Sequence, residues 1–72
     1  MQLPKFNVTA QYHDHKTTGL GWFDHEVDAV ACMKEALEAK DARGVNTYGN
    51  VWITVTEYND EDEVTSVRFI DG

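Results

Sequence analysis

One segment of this chain has the composition and spacing of an α-helix, and it constrains what every other segment can do. Between Asp24 and Lys40 most residues are Ala, Glu, Met, Leu and Lys, which favour helices. At about 100° per residue, Val30, Met33 and Leu37 fall on one apolar face. All the other periodic segments alternate with the period of a β-strand. The sequence therefore predicts several strands packed against a single helix.

The ends of this helix are predicted from residues that can cap it. Asp24 can accept hydrogen bonds from the free N–H groups of the first turn. Arg43 complements the negative end of the helix dipole, and Gly44 can adopt the left-handed conformation that often follows a helix. We expect a helix over residues 24–42.

Four segments have the pattern of strands, two before the helix and two after it. They are residues 5–12, 17–23, 50–59 and 63–70. The polar residues 13–16 and 59–62 predict turns between paired strands, and residues 45–50 predict a loop after the helix. Gly19 and Gly21 weaken the second strand and predict a bulge or a bend there.

The last two strands form a hairpin whose register can be predicted. A loop of three or five residues pairs Val55 with Val67 and Ile53 with Phe69. A loop of two or four residues would place Arg68 opposite Ile53 instead. Because a slip of one residue moves every side chain to the other face, the first register is the expected one.

These segments predict an α+β fold, a four-stranded antiparallel sheet (ββαββ along the chain) with one helix packed on one face. The 72 residues make a single domain, 1–72. We expect its core to lie between the helix and the sheet. The predicted core residues are Phe6, Val8, Ala10, Tyr12, Val51, Ile53, Val55, Val67 and Phe69 from the strands, with Val30, Met33 and Leu37 from the helix.

A single helix leaves the other face of such a sheet uncovered. Aromatic residues and Arg are enriched at binding hot spots, so we expect Trp52, Thr54, Tyr58 and Arg68 to contact a partner. The alternative is that these residues are scattered exposed side chains, which are normal on a monomer. The edges of the sheet offer a second route to a dimer. The residues predicted on the uncovered face are Asn7, Thr9, Gln11, Trp52, Thr54, Thr56, Tyr58, Val64, Ser66, Arg68 and Ile70.

The chain is strongly acidic, with 13 Asp and Glu against 6 Lys and Arg and a formal net charge of −7. This charge argues against direct binding to nucleic acid and favours either a basic protein partner or simple solubility. Carboxylates on one surface could imitate the phosphates of a nucleic acid; the alternative is a solvated charged rim. The acidic residues expected at a partner surface are Asp60, Glu61, Asp62 and Glu63 in the last turn, with Glu35 and Glu38 on the outer face of the helix.

Few residues suggest catalysis or metal binding. His13 and His15 could chelate a zinc or nickel ion from one side of a strand, the alternative being two solvated histidines in a turn. The acidic segments lack the spacing and the Gly of an EF-hand. Cys32 fits a small core residue in a reducing compartment. We expect no enzymatic activity, no cofactor, no metal, no membrane-spanning segment and a cytoplasmic location.

In layout and charge the chain resembles small phage-encoded inhibitor proteins. The likeness is carried by the helix segment 27–37, the closing hairpin 51–70 and the acidic composition. Anti-CRISPR proteins, anti-restriction proteins and phage inhibitors of host RNA polymerase include domains of this size and pattern. The resemblance implies a non-enzymatic protein that binds a host nucleic-acid-processing complex and inhibits or modulates it, with nucleic-acid mimicry as one route. It assigns no site residue.

A second resemblance is to the partial dsRNA-binding-like domain of HicB-type antitoxins. It implies a structural or regulatory homo-oligomer that dimerises through the uncovered sheet face. The chain departs from those antitoxins between the second strand and the helix. There it has Gly21, Trp22, Phe23 and Asp24 in place of their Phe-Pro-Asp and Pro-Gly-Cys elements.

Overall fold

The computed structural model describes residues 5–71 and has the predicted α+β fold. The elements are β1 (Phe6–Gln11), β2 (Thr17–Phe23), α1 (Glu26–Glu38), β3 (Asn50–Tyr58) and β4 (Val64–Asp71). The four strands form one antiparallel sheet in the order β2-β1-β3-β4. β1 and β3 are therefore central, and β2 and β4 are the edges.

The core lies between α1 and the two central strands. Val8 pairs with Ile53 and Ala10 with Val51, and all four are buried. Small residues on the helix, Ala29 among them, let it approach the sheet closely. The helix lies against β1, β2 and β3 but does not approach β4 within residues 5–71. The buried hydrophobic residues are Val8, Ala10, Ala29, Met33, Ala36, Val51, Ile53 and Val55.

Part of the predicted core is not buried. Tyr12 and Leu37 lie at the margin of the helix–sheet contact and are exposed. Phe6 and Val30 are half-buried and pack against the core. The core is therefore smaller than predicted at the margin of the helix–sheet contact.

The helix begins later than predicted and without the predicted cap. His25 precedes it with an extended backbone (φ −124°, ψ 138°) and makes no side-chain capping hydrogen bond, so Asp24 is not the N-cap. Glu26 and Asp28 do lie in the first turn, where their charges suit the positive end of the helix dipole.

The helix also ends earlier than predicted, because the chain that follows it forms its own backbone pairing. Ala39 is extended, Lys40 pairs with Asn46, and the Asp41 N–H donates to the Val45 carbonyl at 2.8 Å. These bonds replace the ones that a longer helix would make. Gly44 has a positive φ of 78°, as its conformational freedom allows, but it serves this later turn rather than the end of the helix.

The loops of both hairpins lie at the predicted positions, and they have the same backbone geometry. The Tyr12 N–H donates to the Lys16 carbonyl at 2.7 Å, and the Asn59 N–H donates to the Glu63 carbonyl at 3.0 Å. The last residue of each loop has a left-handed backbone, with φ 71° at His15 and φ 61° at Asp62. This is the usual geometry of a three-residue hairpin loop.

Each hairpin also contains one extra residue in its second strand. In β2 the register shifts between Val8 and Thr9, which leaves Leu20 without a partner and confirms the predicted bulge near the glycines. In β4, Val64 pairs with Tyr58 but Ser66 pairs with Glu57, so Thr65 is the extra residue. Its hydroxyl donates to the Glu57 carbonyl at 3.3 Å.

The extra residue in β4 makes the predicted register of the last hairpin wrong. The predicted loop is present, but beyond Thr65 the pairing is displaced by one residue, so Val55 faces Arg68. Ser66, Arg68 and Ile70 consequently lie on the helix side of the sheet, where they were not predicted. Val67 and Phe69 lie on the other side, 51% and 66% exposed, and are not core residues.

Residues 5–71 contain no helix that combines the length and the apolar character needed to cross a membrane. The 13 residues of α1 span about 20 Å, at 1.5 Å per residue.

The observed register predicts that a small change in the core costs more stability than a large change at Phe69. Ile53→Val removes one methylene group from the closed core and should lower the free energy of unfolding by about 1 kcal/mol. Phe69→Thr removes far more side-chain volume, but from solvent, and should change that free energy by less than about 0.5 kcal/mol. Urea unfolding of both variants in dilute solution measures the two effects. A larger loss from Phe69→Thr would show that Phe69 is a core residue after all.

Candidate interaction surface

The face of the sheet that points away from α1 carries large side chains that no element within residues 5–71 covers. One cross-strand row runs from Trp22 on β2 through Asn7 and Thr54 to Phe69 on β4. The rows on either side include Trp52 and Val67. We call this surface the open face and define it as Asn7, Thr9, Trp22, Trp52, Thr54, Thr56, Tyr58, Val64, Val67 and Phe69.

The apolar area of the open face is concentrated on the two edge strands. Trp22 is 58% and Phe69 is 66% exposed. Taking roughly 200 Å² for one aromatic side chain, these two rings alone leave about 250 Å² in contact with water. Val64 and Val67 extend the patch along β4, and both are exposed. Trp22 is separated from the β4 patch by Asn7 and Thr54, so the open face has one apolar group at each edge; exposed apolar groups of this size on small proteins often mark binding sites.

On β1 the open face carries small polar side chains, Asn7 and Thr9, that are already hydrogen-bonded. The Thr9 hydroxyl donates to Asn7 Oδ1 at 2.7 Å, and Asn7 Nδ2 donates to the Gly21 carbonyl at 3.3 Å. Thr56 is buried. Within the described residues, no buried side-chain nitrogen or oxygen lacks a hydrogen-bond partner. A partner would therefore contact ordered polar side chains between Trp22 on β2 and Phe69 on β4, at little further cost in conformational entropy.

Three of the four predicted sheet-face residues lie on the open face and one does not. Trp52, Thr54 and Tyr58 are placed as predicted. Arg68 lies on the helix side opposite Val55, so the prediction that it contacts a partner at this face is wrong. The bulge at Thr65, which moved it there, has no clear signal in the sequence.

Three apolar residues join the open face without having been predicted there. Val67 and Phe69 arrive through the bulge at Thr65. Trp22 pairs with Asn7, and the sequence alone did not assign it a face. The glycines on either side of Leu20 did signal the bulge that sets its direction.

The acidic turn (Asp60, Glu61, Asp62 and Glu63) adjoins one end of the open face. All four residues are exposed, and Tyr58 and Val64 pair at the base of the turn. Asn59 Oδ1 accepts the N–H groups of Glu61 and Glu63 at 2.9 and 3.0 Å, which fixes the backbone of the turn. The carboxylates thus project from an ordered loop beside the apolar patch.

The remaining predicted acidic residues lie elsewhere. Glu35 and Glu38 are exposed on α1, in the layer on the other side of the sheet. They share no surface with the open face, whereas the acidic turn does. The acidic residues predicted from the sequence thus do not form one continuous surface.

The histidines considered as metal ligands have other roles in the structure. The His13 ring donates from Nε2 to the Asn46 carbonyl at 2.7 Å, which ties the first turn to the loop before β3. His15 takes the left-handed position of its loop. Among residues 5–71, no group of three or more His, Cys, Asp or Glu side chains is arranged to hold a metal ion.

Cys32 lies half-buried on α1 and packs against the core. Burial raises the pKa of its thiol above the ordinary value, and the nearby charge of Glu35 raises it further. The protonated thiol is therefore favoured at neutral pH, and a thiol is a much weaker nucleophile than a thiolate. This environment suits a packing residue better than a catalytic one.

The raised pKa predicts how Cys32 reacts with a disulfide reagent. The rate should rise with pH as the thiolate forms, and the midpoint should lie higher for the folded protein than for the same chain in urea. Because Cys32 is the one cysteine of the chain, its signal is unambiguous. A folded-state midpoint at or below that of the unfolded chain would contradict the buried environment. The Cys32→Ala variant, which has no thiol, gives the background signal of the reagent.

Comparison with known proteins does not assign this chain to a family. No family model matches it, and neither the curated proteins nor the solved structures contain a match. Any function proposed for the chain therefore rests on its own surfaces, chiefly the open face and the acidic turn.

Proposed function

We propose that this chain is a small non-enzymatic interaction protein that binds another protein through its open face, with the acidic turn selecting a basic partner. The observation that carries the proposal is the continuity of the two surfaces. Exposed Trp22, Val67 and Phe69 lie on a rigid sheet face that runs into a cluster of exposed carboxylates. Apolar anchors beside a charged rim are the usual anatomy of a protein interface.

The apolar area is large enough to matter but too small to act alone. At about 25 cal/mol per Å², covering the 250 Å² or so of exposed ring on Trp22 and Phe69 would contribute roughly 6 kcal/mol. Association costs about 4–15 kcal/mol in lost translational and rotational freedom. Stable binding therefore also requires the rest of the open face, the charges of the acidic turn, or both.

Charge indicates the kind of partner. A chain with a net charge of −7 attracts basic surfaces, and proteins that process nucleic acids have such surfaces because they neutralise phosphates. We therefore propose a partner of that class, whose basic groove the acidic turn would occupy in place of a nucleic acid. The resemblance to phage-encoded inhibitors supports extending this proposal to a phage or mobile element, and the free Cys32 supports action in the host cytoplasm.

A second candidate function is a regulatory homo-oligomer that stacks two open faces together. The same exposed apolar residues favour it, because a second copy could cover Trp22 and Phe69 without a foreign partner. The acidic turn argues against it, since two copies would bring like charges close to one contact. The two functions differ in whether the open face is free in the purified protein.

Replacing Trp22 and Phe69 with small polar residues tests the proposed binding face. Proteins captured from a bacterial lysate by the tagged chain are purified, and their binding to the wild type and to Trp22→Ser/Phe69→Thr is measured kinetically. Loss of two exposed aromatic anchors should raise Kd at least tenfold, mainly through a faster dissociation rate. Unchanged affinity in a correctly folded double variant would eliminate the open face as the binding site.

Removing charge from the acidic turn tests the choice of a basic partner. Asp60→Asn/Glu61→Gln/Asp62→Asn should slow association with the captured protein and flatten its dependence on salt, because steering acts on the association rate. Asn at position 62 tolerates the left-handed backbone, so the turn is preserved. Glu26→Gln/Glu35→Gln/Glu38→Gln is the matched control, which removes three charges from α1 on the far layer, and it should change both quantities less. An association rate that does not respond to salt would remove the role of charge.

A further inference from the structure

The two edges of the sheet differ in how open they are to a further strand. β2 is interrupted at its middle by the bulge at Leu20 and lies against α1. Bulges and covering elements are the usual protections of an edge. β4 has neither protection beyond Thr65. From Ser66 to Asp71 it pairs with β3 without a shift, and α1 does not approach it within the described residues.

The side chains of β4 add to this openness. Val67 and Phe69 are exposed on the open face, and Arg68 is exposed on the helix side. The strand contains no Pro and no Lys, the residues that most often blunt an exposed edge. Its outer backbone groups meet no other strand among residues 5–71. A long edge with exposed β-branched and aromatic residues is a site for strand addition.

We propose that β4 is a self-pairing edge, at which two copies of this chain join antiparallel into one continuous sheet. The occupant is a second copy rather than a peptide of another protein because of how the charge is distributed. Over Val64–Asp71 the positive charge of Arg68 cancels the negative charge of Asp71, so the strand is neutral within a chain of net charge −7. This edge is thus a region where two acidic copies can meet with little local repulsion, as β2 also is by charge, but β2 is protected by its bulge and by α1.

The antiparallel arrangement follows from the acidic turn. With a two-fold axis near the middle of β4, the two turns point to opposite ends of the joined sheet. Glu61 lies six to eight residues from that axis, so at about 3.3 Å per residue the two turns are roughly 40 Å apart or more. This exceeds the Debye length of about 8 Å at physiological salt several-fold. A parallel arrangement would bring the two turns together.

The side chains restrict the register. Pairing Val67 with Phe69 of the second copy would place Arg68 opposite Arg68 of that copy, and like charges directly opposite are destabilising. A two-fold axis at Val67 places Arg68 opposite Ser66 of the second copy. An axis at Phe69 places it opposite Ile70 of the second copy. The axis at Val67 pairs Val67 with Val67 of the second copy and Phe69 with its Thr65, whereas the axis at Phe69 pairs Phe69 with Phe69 of the second copy and Val67 with its Asp71.

This edge pairing is independent of the proposed function. It leaves the open faces of the two copies free and aligned side by side, whereas stacking two open faces would cover Trp22. One strand pair is smaller than a standard interface of about 800 Å² per partner. We therefore expect a dimer with a dissociation constant in the micromolar to millimolar range.

Sedimentation of the full chain over that concentration range tests the proposal. The wild type should form a dimer as concentration rises, and Val67→Asp should raise the dimer Kd at least tenfold, because the new carboxylate lies opposite a carboxylate of the second copy with either axis. Trp22→Asp adds the same charge on the other edge, so general repulsion cannot explain a difference between the two variants. Trp22→Asp is the matched control and should dimerise nearly as the wild type does. A wild type that stays monomeric throughout, or an equal loss in both variants, would overturn the edge pairing.

Cysteine cross-linking gives a second test that does not depend on the aspartate variants. In a Cys32→Ala background, Val67→Cys or Phe69→Cys should form an intermolecular disulfide under mild oxidation, and the better position identifies the axis. Trp22→Cys should not form one. Absence of a disulfide at both β4 positions, or a disulfide at position 22 alone, would refute pairing through β4.

Discussion

The packing of α1 on the central strands governs every exposed surface of this chain. Burial of Val8, Val51, Ile53 and Val55 fixes which side of the sheet is covered. A helix is about 10–12 Å across with its side chains, and strands lie about 4.8 Å apart, so one helix covers two or three strands. A fourth strand must then lie outside the cover. In this chain that strand is β4, which α1 does not approach and whose residues are exposed except for the half-buried Ile70.

Two single-residue insertions decide which side chains occupy the uncovered surfaces. Leu20 in β2 and Thr65 in β4 each displace the pairing by one position. In β2 the result is an indole on the open face, and in β4 it is Val67 and Phe69. The apolar character of the open face thus depends on small departures from regular pairing. The covered face depends on the regular pairing of β1 with β3, which has no such insertion.

Features that depend on local sequence patterns could be predicted, whereas features that depend on distant pairing or on the bulge at Thr65 could not. The fold class, the four strands, the positions of both turns and an irregularity near Gly19 depend on local patterns, and they are found in the structure. The end of the helix could not be predicted, because the pairing of Lys40 with Asn46 forms only after the following turn folds back. The faces of Val67 and Phe69 could not be predicted either. No residue type near Thr65 signals a bulge, and one inserted position reverses every side chain beyond it.

The bulge at Thr65 determines the exposed surface of β4 without affecting the core. Loss of the bulge with Thr65 retained, so that Thr65 paired with Glu57, would restore the regular register, turn Arg68 outward and withdraw Phe69 towards the helix side. A change that brought Thr65 into the regular pairing would thus convert an apolar edge into a cationic one, while the pairing of β1 with β3 and their contact with α1 stayed the same. A lineage of such chains could exchange one class of partner for another in one genetic step, without first rebuilding the fold.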